Sequence, residues 1–258
     1  MKIGIIGAGN MGGATAWGMI KYTSLSREDL ILSDPNEETL RKFSDEGVET
    51  TTDNHRVARE ADMVAVFVKP WLVERVLKEI KGDMNFERQM LIIVAAGIKG
   101  EQVEEWLECK PTFFSVIPNI AIEEGSSATF LVPFNASASQ IEEVKDLFDA
   151  MGETFIVEER LLPAATTLAS CGLAYAMRYI RAAVEGGVEM GFYPKDALKI
   201  VLQTVKGAVD LLQATREHPE VAIDKVTTPG GVTIKGLNAM EEAGFTTSVI
   251  KGLKAGLK

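Results

Sequence analysis

The sequence predicts an α/β fold in which an amino-terminal, doubly wound parallel sheet is followed by an all-helical carboxyl-terminal domain. Two observations lead to this prediction. In the first part of the chain, short apolar runs alternate with amphipathic segments, which is typical of parallel strands joined by right-handed crossover helices. After about Glu158 the apolar residues follow only helical spacing. We therefore expect two domains, at residues 1–158 and 159–258.

Each predicted strand is a short apolar run bounded by Gly, Pro, Asn or Asp, as expected for strands that are buried on both faces. The predicted strands are Lys2–Ile6, Leu30–Ser33, Met63–Val68, Leu91–Ala95, Thr112–Ile117, Ser127–Val132 and Thr154–Val157. The predicted helices between them are Glu37–Glu46, Trp71–Ile80, Gly100–Glu108 and Ser137–Met151.

Two long helices are predicted in the second domain, over Leu173–Val188 and Leu198–Leu212, with Gly191 and Pro194 between them. The first helix is unusually rich in small residues. These are Ala169, Gly172, Ala176, Ala182, Ala183, Gly186 and Gly187. An interior glycine costs a helix roughly 1 kcal/mol relative to alanine. Close packing against another helix would offset this cost, and that helix belongs either to the same chain or to a second subunit.

The composition excludes several classes of partner. The 258 residues include 27 Lys and Arg against 37 Asp and Glu, a net charge of −10, which argues against binding to nucleic acid or an anionic membrane. The longest apolar run, Met90–Ile98, is too short to span a bilayer, and the amino terminus does not resemble a signal peptide. Cys109 and Cys171 form no disulfide framework. We expect a reduced, cytoplasmic setting.

A glycine motif follows the first predicted strand directly. Gly7, Ala8, Gly9, Asn10, Met11 and Gly12 fit the pattern G-x-G-x-x-G and lead into a helical segment. Such glycines allow a tight turn, close approach to a pyrophosphate and close packing of helix on sheet, while the helix amino end supplies N–H donors. In this strand–turn–helix context, the motif predicts a Rossmann-like dinucleotide site.

Further candidates lie where the strands end, because ligands of open parallel sheets bind past the carboxyl ends of the strands. Ser33 ends the second strand and Asp34 follows it, Lys69 and Pro70 follow Val68, Ala96 and Gly97 follow Ala95, and Asn119 follows the fifth strand. Small residues at these positions could form the floor of a crevice for a flat ring.

Asp34 admits two interpretations. It lies at the distance from the glycine motif at which an acid commonly binds the ribose hydroxyls of NAD. The run Asp34–Glu37 also predicts that Asp34 caps the next helix, with Pro35 in the first helical position. We expect the capping role and leave the ribose role open. In either case the acid would repel a 2′-phosphate.

The most specific segment is Val226–Leu237, in which a Pro-Gly-Gly turn leads into a helix that ends before Gly244. Consecutive glycines expose backbone N–H groups, and the helix dipole favours an anion at this end. Thr228 and Thr233 add hydroxyl groups without adding charge. The segment is a candidate seat for a small carboxylate; the alternative is an ordinary capped helix.

These motifs together resemble the pyrroline-5-carboxylate reductases, which make L-proline. The matching residues are Gly7–Gly12, Asn54, Val68–Pro70, Ala96–Gly97, Pro118–Asn119, Gly172, Ala174–Tyr175 and Val226–Leu237. The resemblance implies a reduced NADP or NAD as hydride donor, a cyclic imine carboxylate as substrate, and a homodimer or larger homo-oligomer.

The resemblance also implies roles for individual residues. The predicted cofactor-binding residues are Gly7, Ala8, Gly9, Asn10, Met11, Gly12, Ser33, Asp34, Asn54, Val68, Lys69, Pro70, Ala95, Ala96, Gly97 and Asn119. The predicted substrate-binding residues are Thr228, Gly230, Gly231, Val232 and Thr233.

The chain departs from the family pattern in four places. Ala169–Tyr175 reads Ala-Ser-Cys-Gly-Leu-Ala-Tyr instead of Ser-Gly-Ser-Gly-Pro-Ala-Tyr, and Ile120 and Ala121 replace the usual Thr-Pro. Val232 replaces the first threonine of the signature pair, and Asp34 stands where NADPH-using relatives often have serine or arginine. These departures concern the substrate site and the cofactor preference.

The predicted mechanism needs no strong general acid, because a protonated imine becomes a neutral amine when it accepts hydride. Thr233 is the candidate catalytic residue, as hydrogen-bond partner or proton donor of the ring nitrogen. Leu161–Pro194 contains no lysine, whereas related β-hydroxyacid dehydrogenases have a catalytic lysine on the corresponding helix. We expect His218 at a helix end on the surface and Cys171 to be buried. No metal site is predicted, because neither the histidines nor the cysteines have ligand spacing.

Two alternatives remain: a related NAD(P)-dependent imine or β-hydroxyacid oxidoreductase and, less favoured, a non-catalytic dinucleotide-binding protein. Tyr175 and Tyr179, four residues apart, are expected to be core or interface residues rather than acids. The reductase hypothesis requires that the glycine turn and the Pro-Gly-Gly turn border one cavity, with a neighbouring subunit where needed.

Overall fold

A computed structural model describes residues 1–257, which form two compact units: Met1–Ser170 and the remainder from Cys171 onward. The first unit contains one eight-stranded sheet. Its strands are β1 (Ile3–Ile6), β2 (Leu30–Ser33), β3 (Glu49–Thr51), β4 (Met63–Val66), β5 (Met90–Ile93), β6 (Phe113–Ile117), β7 (Ser127–Phe134) and β8 (Gly152–Ile156). Their order is β3-β2-β1-β4-β5-β6-β7-β8. Strands β1 to β6 run parallel, whereas β7 is antiparallel to β6 and parallel to β8.

Helices accompany the sheet in chain order. They are α1 (Asn10–Tyr22), α2 (Glu37–Ser44), α3 (Asn54–Glu60), α4 (Pro70–Ile80), α5 (Gly100–Leu107), α6 (Ala138–Asp149) and the short α7 (Leu162–Ala165). All residues of β1, β2, β4, β5 and β6 are buried. Two separate hydrophobic clusters explain this burial, one containing Phe43 and Phe114 and the other containing Leu77 and Phe113. The sheet is therefore covered on both faces, and the predicted fold class is confirmed.

Strand β3 and helices α3 and α7 of the first unit were not predicted from the sequence, nor were the helices at residues 219–226 and 245–255. The β3 residues Glu49–Thr51 are polar and only half-buried at the sheet edge, so they lack the apolar run that marks the other strands. Helix α3 has only seven residues and begins after Asp53, whose carboxylate accepts the His55 N–H at 2.9 Å. Helices this short carry little periodicity, so the cap was the main signal available.

The second unit is entirely helical. Its helices are α8 (Gly172–Glu189), α9 (Pro194–Thr215), α10 (Pro219–Val226), α11 (Val232–Glu242) and α12 (Phe245–Ala255). The small residues of α8 serve partly for close packing within the chain, because a methyl group on Gly187 would lie 3.1 Å from Ala197 Cβ of α9. A methyl group on Gly186 would meet no atom within 4 Å.

Along the chain, the first compact unit ends at Ser170 and the second begins at Cys171, while the domain boundary expected near Glu158 stays a prediction. The intervening segment contacts the first unit. Glu159 accepts a hydrogen bond from the Gly100 N–H at 2.7 Å, and the Ser170 hydroxyl donates to the Pro118 carbonyl oxygen at 3.3 Å. None of the helices in residues 1–257 is both long and apolar enough to cross a membrane.

Candidate functional site

The first unit has a cavity of about 880 Å³ beside the glycine turn. This volume is within the range of ligand pockets. The cavity is lined by Ile6, Gly7, Gly9, Asn10, Met11, Ser33, Asp34, Pro35, Thr52, Asn54, Phe67, Val68, Lys69, Pro70, Leu72, Arg75, Val76, Glu79, Val94, Ala95 and Ala96. Most of these residues follow the carboxyl ends of β1, β2, β4 and β5, where the sheet rule places ligands.

The three glycines of the turn are glycine for different physical reasons: the chain itself requires two of them, and the third leaves open space. Gly7 has a φ of +100°, and an added methyl group would lie 2.6 Å from the Phe67 carbonyl oxygen. A methyl group on Gly12 would overlap the Gly7 carbonyl group, so both residues are required by the chain itself. Gly9, in contrast, has a φ of −66° that any residue adopts, and its added methyl group would meet nothing within 4 Å. The space above Gly9 therefore fits a ligand that approaches the backbone.

Helix α1 begins directly at this turn. Its N-cap is Gly9, no side chain caps it, and no acidic residue occurs in its first turn. The amino end of α1 thus keeps backbone donors and a positive dipole end available for an anion.

Asp34 does not cap helix α2, which corrects the sequence prediction. The N-cap is Asn36, whose Oδ1 accepts the Glu38 N–H at 2.9 Å, and the helix begins at Glu37. The Asp34 carboxylate instead accepts the Ala8 N–H at 2.9 Å and the Asn36 N–H at 2.9 Å. Asp34 thereby joins the glycine turn to the end of β2. Lone pairs remain on both carboxylate oxygens for a ribose hydroxyl.

Ser33 and Asn54 contact each other on the cavity wall. The buried Ser33 hydroxyl donates to Asn54 Oδ1 at 2.7 Å, and Asn54 Nδ2 donates to Glu79 Oε1 at 3.2 Å. Asn54 is therefore held from both ends of its amide, by the end of β2 and by helix α4. The cavity wall carries charges of both signs, from Asp34 and Glu79 and from Lys69 and Arg75.

Twelve of the predicted cofactor residues line the cavity, and four do not. Ala8 and Gly12 are buried beneath the turn, and Gly97 lies outside the lining with a φ of +81°. Asn119 is only 6% exposed, and its Oδ1 accepts the Ala121 N–H at 3.0 Å.

One wall of the cavity is formed by helix α4, and apart from Pro70 its residues were not predicted as site residues from the sequence. Leu72, Arg75, Val76 and Glu79 all line it. Their helical spacing puts them on one face of the helix that follows Lys69 and Pro70, so amphipathic periodicity could have identified them. Thr52 and Phe67 also line the cavity but carry no such signal.

The Pro-Gly-Gly segment lies in the second unit and has the predicted local structure. Gly230 has a φ of +71°, the Gly231 N–H donates to the Thr228 carbonyl oxygen at 2.9 Å, and Gly231 is the N-cap of α11. No side chain caps this helix, and its first turn contains no acid. Val232 is 85% exposed, whereas Thr233 is half-buried. The predicted substrate residues therefore surround a helix amino end that is open to an anion.

Among the other residues of the second unit, His218 lies where it was expected, whereas the expectation for Cys171 was wrong. His218 is exposed and caps the start of α10, with its Nδ1 accepting the Glu220 N–H at 3.3 Å. Cys171 is half-buried at the start of α8 rather than buried, because the surrounding helical surface is largely uncovered. Tyr175 and Tyr179 are 40% and 44% exposed and border an apolar groove of about 560 Å³. Within residues 1–257, no three His, Cys, Asp or Glu side chains are grouped to hold a metal ion.

Two sequence families match the chain. The one described as pyrroline-5-carboxylate reductase dimerisation matches residues 159–258, and the one described as NADP oxidoreductase, coenzyme F420-dependent, matches residues 2–97. Among curated proteins, pyrroline-5-carboxylate reductase 1 of Dictyostelium discoideum is 35% identical over 97% of the chain, which spans only 48% of that protein. The enzyme of Methanosarcina acetivorans is 34% identical over 98% of the chain and 94% of its own length.

Solved structures agree with these relatives. A pyrroline carboxylate reductase of Plasmodium falciparum, solved with NADP bound, has a TM-score of 0.90 at 26% identity and covers 100% of this chain and 95% of its own. The 1-pyrroline-5-carboxylate reductase of Streptococcus pyogenes has a TM-score of 0.89 at 30% identity and covers 100% and 96%. A prephenate dehydrogenase of Aquifex aeolicus, at 19% identity and a TM-score of 0.56, shares the fold.

Proposed function

The chain belongs to the pyrroline-5-carboxylate reductase family of NAD(P)H-dependent oxidoreductases, and we propose that it transfers hydride to the C=N carbon of 1-pyrroline-5-carboxylate, giving L-proline. The observation that carries the proposal is the open space above Gly9, where the fold imposes no glycine and a cavity of about 880 Å³ begins. When bound, the reduced nicotinamide ring supplies the hydride.

The chain's own residues bind and orient the cofactor in this proposal. The amino end of α1 receives the pyrophosphate, because its N–H groups are uncapped and Gly9 leaves room for the phosphate oxygens. The Asp34 carboxylate accepts a hydrogen bond from a hydroxyl of the adenosine ribose. It uses lone pairs that are not occupied by the Ala8 and Asn36 N–H groups. Its negative charge would disfavour a 2′-phosphate, so we expect Asp34 to shift the cofactor preference toward NADH.

The substrate is bound by residues of the Pro-Gly-Gly segment. The exposed N–H groups at the start of α11 receive its carboxylate, and Thr228, Gly230, Gly231 and Val232 surround it. The Thr233 hydroxyl is the hydrogen-bond partner of the ring nitrogen and holds the imine in place for the transfer. Because the protonated imine already carries the proton that the neutral amine keeps, Thr233 acts as a hydrogen-bonding and positioning group, and no general acid is required.

A homodimer or larger homo-oligomer is the proposed assembly, as the match to a dimerisation family suggests. It is supported by α8 and α9, which leave large apolar side chains exposed, among them Met177 at 56% and Leu202 at 47%. Residues 159–258 would form the helical substrate and dimerisation domain and residues 1–158 the cofactor domain, a division supported by where the dimerisation family match begins. The free Cys109 and Cys171 are compatible with a cytoplasmic location.

The test is reduction of 1-pyrroline-5-carboxylate with NADH and NADPH side by side. We expect turnover by the wild type and a kcat/KM about 10- to 100-fold lower for Thr233→Ala, because a hydrogen bond to a charged group is lost. Thr233→Ser should restore most of it. Thr204→Ala, which removes an exposed hydroxyl of α9 bonded to the Ile200 carbonyl oxygen, is the matched control and should leave kcat/KM unchanged.

Two outcomes would reject the proposal. Tight cofactor binding without turnover on any imine would favour the non-catalytic alternative. Turnover restricted to another imine or to a β-hydroxyacid in a substrate panel would identify a related oxidoreductase instead.

A further inference from the structure

The Asn54 side chain is held on the cavity wall by partners from two distant parts of the chain. Ser33 at the end of β2 donates to its Oδ1 at 2.7 Å, and Glu79 on the second half of α4 accepts from its Nδ2 at 3.2 Å. All three residues line the cavity. The Ser33 hydroxyl is completely buried, so this half of the contact is rigid. The Glu79 carboxylate is only half-buried, so its hydrogen bond to Asn54 is the one whose geometry can change.

Glu79 contacts Asn54 and forms no ion pair with the arginine one turn earlier on its own helix. Arg75 lies one turn earlier on α4 and lines the same cavity, which is the spacing at which helical side chains of opposite charge pair. Within residues 1–257, however, Arg75 makes no ion pair, and Glu79 Oε1 is directed to Asn54 instead. The Glu79 carboxylate is therefore oriented by its hydrogen bond to the Asn54 amide and not by an ion pair within helix α4.

A histidine lies behind Glu79. His55 Nε2 is 4.0 Å from the same Glu79 oxygen, and His55 Nδ1 is 2.6 Å from Asp83 Oδ2. Arg59 of α3 contacts the other Asp83 oxygen at 2.9 Å and Asp53 at 3.6 Å. The His55 ring thus lies beside the carboxylates of Asp83 and Glu79, Asp53 adds a further negative charge nearby, and Arg59 contacts the other oxygen of Asp83.

We propose that Glu79 is a positioning residue of the cofactor site, which holds the Asn54 amide against the bound dinucleotide and whose orientation is maintained by His55. This inference rests on the proposed function, because it requires a dinucleotide in the cavity. Asn54 then presents its remaining N–H and lone pair in a fixed direction, and the ordering of that side chain occurs before the ligand arrives.

The protonation of His55 changes how firmly Glu79 is held. In neutral His55 the proton on Nδ1 is shared with Asp83, and Nε2 offers only a lone pair to the Glu79 oxygen. Protonated His55 presents an Nε2–H and a positive charge, which attract Glu79 and offset its charge beside an anionic cofactor. Both effects favour cofactor binding at lower pH. The Asp83 hydrogen bond raises the pKa of His55 above its usual value, so this transition lies at a higher pH than for a free histidine.

The first experiment measures dissociation constants of NAD⁺ and NADP⁺ by calorimetry for the full-length protein and three variants. Glu79→Ala should weaken binding of the better cofactor about tenfold, because the Asn54 amide loses its partner. Glu79→Gln retains an oxygen acceptor and should stay within about threefold of the wild type. Glu74→Ala, which removes an α4 carboxylate that pairs with Lys78 outside the cavity, should have no effect. Equal affinities of Glu79→Ala and Glu74→Ala would overturn the inference.

The second experiment follows the same affinity from pH 6 to pH 9 for the wild type and His55→Gln. The wild type should bind more weakly as pH rises through the titration of His55, and His55→Gln should be flatter. Any ionisation of the cofactor itself is common to both proteins and cancels in the comparison. Superimposable profiles would overturn the role of His55. Failure of the wild type to bind either cofactor would reject the proposed function as well, whereas binding without any effect of Glu79→Ala would reject this inference alone.

Discussion

The two units of the chain bury their apolar residues to very different extents. In residues 1–170 five strands are fully buried and two hydrophobic clusters cover the sheet. In residues 171–257 the buried residues are Gly187, Ala197 and Ala222. Most of the exposed large hydrophobic side chains belong to this second unit, including Met190 at 77% and Tyr193 at 80%.

This contrast indicates that the first unit buries most of its apolar side chains within itself, whereas the second unit leaves most of them exposed. A parallel sheet with helices on both faces buries each strand without outside help. A pair of amphipathic helices such as α8 and α9 buries one face against the other and leaves the remaining apolar surface to a partner. The first unit also holds the cavity beside the glycine turn, whereas the second unit has few buried side chains of its own.

The largest expected effect is on association and comes from a charge placed on the second unit. Leu202→Glu in α9 and Ile156→Glu in β8 replace side chains that are 47% and 49% exposed. Burying a leucine contributes about 1.5–3 kcal/mol, and each substitution occurs twice in a symmetric dimer. Leu202→Glu should therefore weaken association by at least about 100-fold.

Light scattering after size-exclusion chromatography measures this effect, and Ile156→Glu should leave the assembly intact. If both variants dissociate equally, or neither does, the contrast between the two units has no bearing on assembly. The dissociated Leu202→Glu protein should still bind the cofactor, because the cavity is lined only by residues of the first unit.

The next prediction distinguishes, within the first unit, a glycine that is needed for stability from one that is needed for cofactor binding. Gly12→Ala should destabilise the protein by about 1–3 kcal/mol, because the methyl group overlaps the Gly7 carbonyl group. Gly9→Ala should leave the stability unchanged and weaken cofactor binding about tenfold or more, since its methyl group enters the space reserved for the pyrophosphate. Denaturant unfolding and calorimetric titration of both variants measure the two quantities. A Gly9→Ala protein with wild-type affinity would contradict the assigned phosphate site.

A smaller effect concerns cofactor choice. Asp34→Ser removes a negative charge from the cavity wall, so the ratio of kcat/KM for NADPH to that for NADH should rise about tenfold. Asp45→Ser, at the exposed carboxyl end of α2, is the control and should not change the ratio. Steady-state kinetics with both cofactors decide the matter. An unchanged ratio in Asp34→Ser would show that Asp34 serves only to hold the Ala8 and Asn36 N–H groups.

The smallest expected effect is a pH dependence of stability from one surface pair of the first unit. The hydrogen bond to Asp83 raises the pKa of His55, so protonated His55 stabilises the folded state. This contribution is fully present below the unfolded pKa of histidine, about 6.5, and is lost as pH rises through the raised folded value. The Tm of the wild type relative to His55→Gln should therefore be higher at pH 6 than at pH 9. A constant difference in Tm across this range would contradict the pairing.

Sequence reasoning was most successful where a single local pattern carries the structure. The apolar runs located seven of the eight strands, and the glycine motif located the turn before α1. It failed for β3, whose polar edge position has no apolar signal, and for Asp34, because two nearby residues could cap the same helix. Nothing local indicates that Asn36 is the cap while Asp34 turns to the Ala8 N–H.

The order of residues alone was enough to establish the α/β class, the helical second half, the glycine turn and the family, because each depends on spacing along the chain. Only the folded chain could bring Ser33, Asn54 and Glu79 together, since they lie on β2, α3 and α4 and share no sequence pattern. The same holds for the uncovered surface of α8 and α9. A periodicity shows that a helix has an apolar face, but burial depends on which other elements reach that face in three dimensions.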